Sequence, residues 1–224
     1  PLCIDLDGTL IATDTLWEGL VAVLIRRPWL FFAVIGWALS GKAVLKREIA
    51  ARYVRNGDEW PYRAEVIERI RLARDSGQPV WLVTGAAEST ARTIADHLGL
   101  FDRVLHSSDT ENLTSRRKRE RLISLCGDGG FDYAGNSRDD LVVFDAARRA
   151  IIVAPDRAAS RWGNSHEAEV LPLDGISPLA ILKSIRVHQW LKNILIAVPL
   201  ILNHEVADVG LLLAAIVAFF SFSF

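Results

Sequence analysis

Two carboxylates stand close together near the start of the chain, in Asp5-Leu6-Asp7-Gly8-Thr9. At a strand end, in a turn set by Gly8, they can converge on one reacting centre. The pair suits attack on phosphorus. Asp5 would form an aspartyl-phosphate, and Asp7 would protonate the leaving oxygen and then deprotonate the attacking water. A carboxylate is a weak nucleophile and faces a dianionic phosphate. A magnesium ion is therefore expected, to relieve the repulsion and clamp both reactants. Asp5 and the backbone carbonyl of Asp7 would be among its ligands. Two plainer readings compete. A calcium loop fails, because the twelfth position from Asp5 is Leu16 rather than Glu. A solvated strand-end turn stays open on this motif alone.

Three later segments carry matching chemistry. In Val83-Thr84-Gly85 a hydroxyl and backbone amides ahead of a helix can hold phosphate oxygens. Lys118 lies in a basic stretch, 116–121, where one cation can neutralise a phosphoryl group. The alternative there is a solvated charged face. Asn136 and Asp140 offer oxygen ligands to magnesium; alternatively Asn136 or Ser137 is a helix N-cap.

The elements that must position these groups follow from the hydrophobic pattern. Short apolar runs at 3–6, 79–83, 103–106, 131–134 and 151–153 read as buried strands. Helical periodicity occupies 61–76, 87–98, 115–125 and 140–147, with Gly77 and Gly99 as stops. Strands alternating with helices predict a parallel α/β sheet with its ligand site beyond the carboxyl ends of the strands. The stretch from Thr13 to about Asn56 is too long for a single crossover. It reads as a helical cap over the site, carrying Trp17, Trp29, Phe31, Phe32 and Trp37. Its uncharged run 29–39 is too short to span a bilayer, which leaves a cap core or contact with a membrane surface.

Of the 224 residues half are apolar, and the mean hydropathy of +0.21 is high for a purely soluble enzyme. A net charge of -1 provides no general field for nucleic acid. Cys3 and Cys126 lack metal or redox spacing and read as reduced core residues. The first residue is Pro1, methionine is absent, and no signal peptide pattern opens the chain. The end falls inside an apolar run, 209–224. Together these read as a fragment of a longer protein. That run and 194–202 are candidate membrane helices. Lys183, Arg186 and Lys192 precede them, and 203–208 holds no Lys or Arg, which predicts a cytoplasmic N-terminal domain.

Asp5 to Thr9, Thr84, Lys118, and Gly135-Asn136 with Asp140, in that order, resemble the four motifs of the haloacid dehalogenase-like superfamily. The resemblance implies a Rossmann-like parallel sheet with a helical C1-type cap, and phosphatase or phosphomutase activity with magnesium. The catalytic set would be Asp5, Asp7, Thr84 and Lys118. Thr84, Gly85 and Lys118 would bind phosphate, and Asp5, Asp7, Asn136 and Asp140 the metal. The fourth motif usually begins Gly-Asp; Gly135-Asn136 removes one negative charge. The tail, with His188-Gln189-Trp190-Leu191-Lys192-Asn193 before an apolar run, resembles the start of UbiA-type prenyltransferases similar to decaprenyl-phosphate phosphoribosyltransferase. The implied organisation is a phosphohydrolase domain over 1–175 (core 1–12 and 77–175, cap 13–76) and a truncated transmembrane domain over 176–224. A phosphorylated small molecule or a lipid-linked phosphate would be the substrate. A non-catalytic regulatory module and a soluble small-molecule phosphatase are the alternatives.

Overall fold

The computed structural model describes residues 1–172 except 54 and 109–111. Six strands form one sheet in the order β3-β2-β1-β4-β5-β6. They are β1 (Leu2–Ile4), β2 (Val80–Ala87), β3 (Arg103–Ser107), β4 (Asp132–Gly135), β5 (Arg149–Ile152) and β6 (Glu169–Val170). Every pairing is parallel. The chain builds outward from β1 on one side, then returns and builds outward on the other. β1 and β4 therefore flank the point where the winding reverses, where open α/β sheets leave a crevice for ligand.

The core has two faces, as period-2 strands require. Leu2 and Ile4 of β1, with Val80 and Leu82 of β2, face helix α4 (Ala64–Asp75), which contributes Val66, Ile70 and Ala73, and helix α5 (Glu88–Leu98). Cys3, Val83 and Tyr133 face the other layer, to which α6 (Ser115–Cys126) gives Leu122, α7 (Leu141–Phe144) gives Val143 and Phe144, and α8 (Arg157–Ser165) gives Ala159. Both cysteines are free and Cys3 is buried.

Between β1 and α4 lie α1 (Thr15–Arg26), α2 (Phe31–Leu39) and α3 (Lys42–Arg52). Asp14 caps α1, its carboxylate accepting from the amides of Leu16 and Trp17 at 2.9 and 3.1 Å. Pro28 follows the end of α1 and opens a single 3-10 turn before α2. At Gly19, α1 passes so near α3 that an added Cβ would lie 2.6 Å from Ile49 Cγ2. The chain leaves and re-enters the sheet layer side by side: Ile11 bridges Tyr62 in antiparallel fashion, and the Ala12 amide donates to the Pro61 carbonyl at 2.9 Å. The helical insertion read over 13–76 thus divides, with α1 to α3 as the cap and α4 packed on the sheet.

Local departures from the expected elements have local causes. β2 runs on to Ala87 because its ladder with β3 resumes after a register shift between Val83 and Ala87. The helix expected at 140–147 is a 3-10 turn, Arg138–Asp140, followed by the four residues of α7. α8 and β6 were not expected, since the segment has few apolar residues to set a period. Among the described residues no helix is long and apolar enough to cross a membrane. The apolar runs 194–202 and 209–224, and with them the expected transmembrane domain, lie outside the described residues.

Candidate functional site

Asp5 follows the last residue of β1, and its amide still donates to the Ala134 carbonyl of β4 at 2.9 Å. The chain then folds back, with the amides of Leu10 and Ile11 donating to the carbonyls of Asp5 and Leu6. Gly8 makes this turn at φ +76°, and a Cβ there would lie 2.2 Å from Asn136 Nδ2. Gly8 is thus required twice, for its backbone and for the close approach of Asn136. Asp7 Oδ1 accepts from the Thr15 amide at 2.7 Å, which ties the second carboxylate to the first turn of α1.

A buried polar cluster stands behind Asp5. Lys118 Nζ, on α6, donates to Asp5 Oδ1 at 2.8 Å and to Tyr133 Oη at 2.8 Å, and lies 3.4 Å from Asp140 Oδ1. The Tyr133 hydroxyl donates to Asp140 Oδ1 at 2.6 Å. Asp140 Oδ2 accepts from the amides of Asn136 and Ser137 and from Ser137 Oγ at 3.0 to 3.1 Å. Both oxygens of Asp140 are thereby engaged in holding Lys118, Tyr133 and the 136–137 turn. The N-cap expected here is Ser137, in a reciprocal capping box with Asp140.

The charges follow from burial and partners. Burial lifts the Asp5 carboxyl to about 7, with Lys118 pulling the other way. Burial also raises Asp7, against the hydrogen bond from Thr15. Burial resists charge on Asp140 too, but Lys118, the Tyr133 hydroxyl and the two amides outweigh it and hold the carboxyl below its ordinary range. Burial likewise opposes the Lys118 cation, and the two carboxylates overcome this and raise its pKa. The site therefore holds charged Lys118 and Asp140 beside Asp5 and Asp7, whose carboxyls burial lifts above their ordinary range.

These groups border a cleft of about 570 Å³, with Asp5, Asp7 and Asn136 on the sheet side and Trp17, Lys42 and Lys46 on the cap side. Gly85 also lines it, while Thr84 is fully buried with Oγ1 accepting from the Ala86 amide at 2.9 Å. Lys46 donates to the Gly85 carbonyl and to Asn112 Oδ1, joining cap to sheet layer. The structure thus brings together Asp5, Asp7, Gly85, Lys118, Asn136 and Asp140, with the Thr84 hydroxyl turned into its own backbone. Sequence reasoning missed Tyr133, Lys42 and Lys46. Tyr133 gives no signal in a strand pattern. Lys42 and Lys46 stand one helical turn apart in a stretch without carboxylates, and that spacing was the available clue.

Comparison with known proteins bears on this arrangement. A family model for haloacid dehalogenase-like hydrolases matches residues 2–123. The chain belongs to that family. It is 36% identical over 225 residues to the uncharacterized protein y4nM of Sinorhizobium fredii (strain NBRC 101917 / NGR234), covering 99% of this chain and 43% of that protein. The haloacid dehalogenase-like chain thus spans less than half the length of this curated relative. Its fold is similar to that of a protein of unknown function from Bordetella pertussis Tohama I, with a TM-score of 0.56 and 15% identity over 77% of this chain and 98% of that one. A substrate-bound phosphoserine phosphatase gives 0.54 and 15% over 77% and 93%. A phosphoserine phosphohydrolase-like protein from Francisella tularensis subsp. tularensis SCHU S4 gives 0.52 and 15% over 81% and 98%.

The side chains of Asp5, Asp7 and Asn136 on the sheet side of the cleft offer oxygen ligands. Among the described residues no three His, Cys, Asp or Glu side chains gather as a metal-holding group. A cation here would rest on the carboxylate of Asp5, the backbone carbonyl of Asp7 and the Asn136 amide oxygen. That set suits a hard, largely hydrated ion such as magnesium. Two buried carboxyls that resist ionising are also what a divalent charge would relieve.

Proposed function

We propose that this chain is a magnesium-dependent phosphomonoester hydrolase working through an aspartyl-phosphate on Asp5. The observation that carries this reading is the 2.8 Å contact between Lys118 Nζ and Asp5 Oδ1, at the end of the central strand and the floor of the cleft. An Asp5 oxygen attacks phosphorus while Asp7 gives its proton to the departing oxygen. A water then attacks the phosphorus and passes its proton to Asp7, and phosphate leaves with Asp5 restored. Burial raises the Asp7 carboxyl above its ordinary range, the direction that favours a proton-carrying group. Lys118 sets its charge against the Asp5 carboxylate, where it would offset the charge of a phosphoryl group carried there, and backbone amides near Thr84 and Gly85 are offered as that group's further donors. Asp5, Asp7 and Asn136 would hold magnesium, with Asp140 contributing through the turn it braces; the ion would supply positive charge against the phosphate dianion.

Phosphorylated small molecules are the substrate class, in line with the phosphatase names of several proteins of similar fold. Tethering to a membrane, beside a UbiA-type transferase, is supported by the apolar runs and the His188 to Asn193 segment. Release of phosphate from p-nitrophenyl phosphate should require magnesium, stop on chelation and fall to background in Asp5→Asn. Asp7→Asn should lower kcat by about 10²–10⁴-fold. Wild-type protein without turnover, or Asp5→Asn with full turnover, overturns the proposal. Asn136 in the fourth motif favours a second reading, a regulatory module that binds phosphate without hydrolysis. Steady turnover lost in Asp7→Asn rules that out.

A further inference from the structure

The outer face of the cap has a composition that a soluble surface does not explain. No residue of α2 is buried. Trp29, Phe32 and Leu39 are 71%, 80% and 85% exposed, and Trp17, Ile25 and Phe31 are exposed beside them. Apolar side chains scattered singly on a surface need no account, but a contiguous band of aromatic and aliphatic groups marks an interaction face. The charges of the same stretch are one-sided. From Gly19 to Leu39 the charged residues are Arg26 and Arg27, and there is no carboxylate. Arg26 and Arg27 are exposed where α1 passes into α2, next to Trp29.

We infer that α1, the 3-10 turn and α2 form a docking face for an anionic lipid surface. Tryptophan and phenylalanine beside arginines are what an in-plane helix needs. The rings enter the boundary between headgroups and acyl chains, and the guanidiniums stay at the level of lipid phosphate. A second copy of the chain fits less well, because joining two copies of this face would gather Arg26 and Arg27 of both at one interface, with no carboxylate from Gly19 to Leu39 to pair them. The face also reaches the active-site cleft. Trp17 lines both that cleft and the groove it shares with Val21, Ile25 and Tyr53, where Glu18 and Glu59 are paired with Arg55. A docked cap would hold the mouth of the cleft at the lipid surface. This inference stands apart from the proposed hydrolysis, and its test reads no turnover.

The full chain, with Cys126→Ser and either Phe32→Cys or Asp128→Cys, is labelled with an environment-sensitive nitrobenzoxadiazole. It is then added to vesicles of phosphatidylcholine with phosphatidylglycerol, or of phosphatidylcholine alone. Asp128 is exposed in the loop before β4, at the opposite end of the sheet from the cap. The label at 32 should shift to the blue and be quenched by lipids brominated in their acyl chains, while the label at 128 does neither. Quenching at 32 should fall by about half or more without phosphatidylglycerol, or with Arg26→Glu and Arg27→Glu together. Those arginines are exposed, so unchanged circular dichroism and melting will confirm the fold. A label at 32 that stays in water overturns the inference. So does shielding without quenching by brominated lipid, the sign of a second copy or another protein segment, and so does quenching indifferent to lipid charge.

Discussion

Tyr133 joins the two halves of the buried cluster, since its hydroxyl accepts from Lys118 and donates to Asp140. Tyr133→Phe keeps the ring in the core but leaves Asp140 Oδ1 short of its strongest donor. Urea unfolding should show a loss of about 1–3 kcal/mol, the cost of an unsatisfied buried acceptor. One residue before Tyr133, at the start of β4, Asp132 takes hydrogen bonds from Arg148 Nε and Nη2 and from Gln78. Burial pushes its carboxyl up, but these donors outweigh it and hold the carboxyl below the usual range. A depressed native pKa contributes stability that is present above the unfolded value, near 3.9, and lost as the pH falls through the native one. The urea midpoint of wild type should therefore exceed that of Asp132→Asn at pH 6, with the gap closing below about pH 4. At this scale the sequence was a good guide to which polar side chains meet, since the fold brings Asp5, Asp7 and Lys118 to one place. It was silent on Tyr133, because a tyrosine in a buried strand satisfies packing whether or not its hydroxyl has a task.

Elements were legible wherever burial has a period. The five expected strands and the helices at 61–76, 87–98 and 115–125 rest on apolar spacing, and they occur with ends shifted by a few residues. The misses follow the same logic. The segment of α8 carries a strong Asp156 cap but few apolar residues, and β6 is an exposed edge of two residues. The break before α7 comes from the capping box, which a periodic reading does not register. Close approaches are another feature hidden from periodicity, and Gly19 is the clearest. Gly19→Val should force α1 from Ile49 and destabilise the fold by about 1–3 kcal/mol, measured by denaturant unfolding.

For the molecule as a whole, the cap and the sheet layer meet over the cleft, and Lys46 is a tie between them. Its ammonium is held by the Gly85 carbonyl and by Asn112, and burial lowers its pKa. Lys46→Met keeps the stem and removes the tie, so the cap should open more readily. The expected result is a KM raised about tenfold or more, consistent with the loss of a charged hydrogen bond, and a small change in melting temperature. The division into sheet and insertion was readable from the length of the stretch after Thr13, whereas the place of α4 required the contacts themselves. The pairing of residues 11–12 with 61–62 has a consequence for how such a chain can change over time. An excursion whose two ends touch can be lengthened, shortened or exchanged without moving the frame it leaves. Each doubling of its length costs only about 0.6 kcal/mol of closure entropy. The cap is in that sense a graft on a fixed stock, free to change while the groups at the end of β1 keep their places.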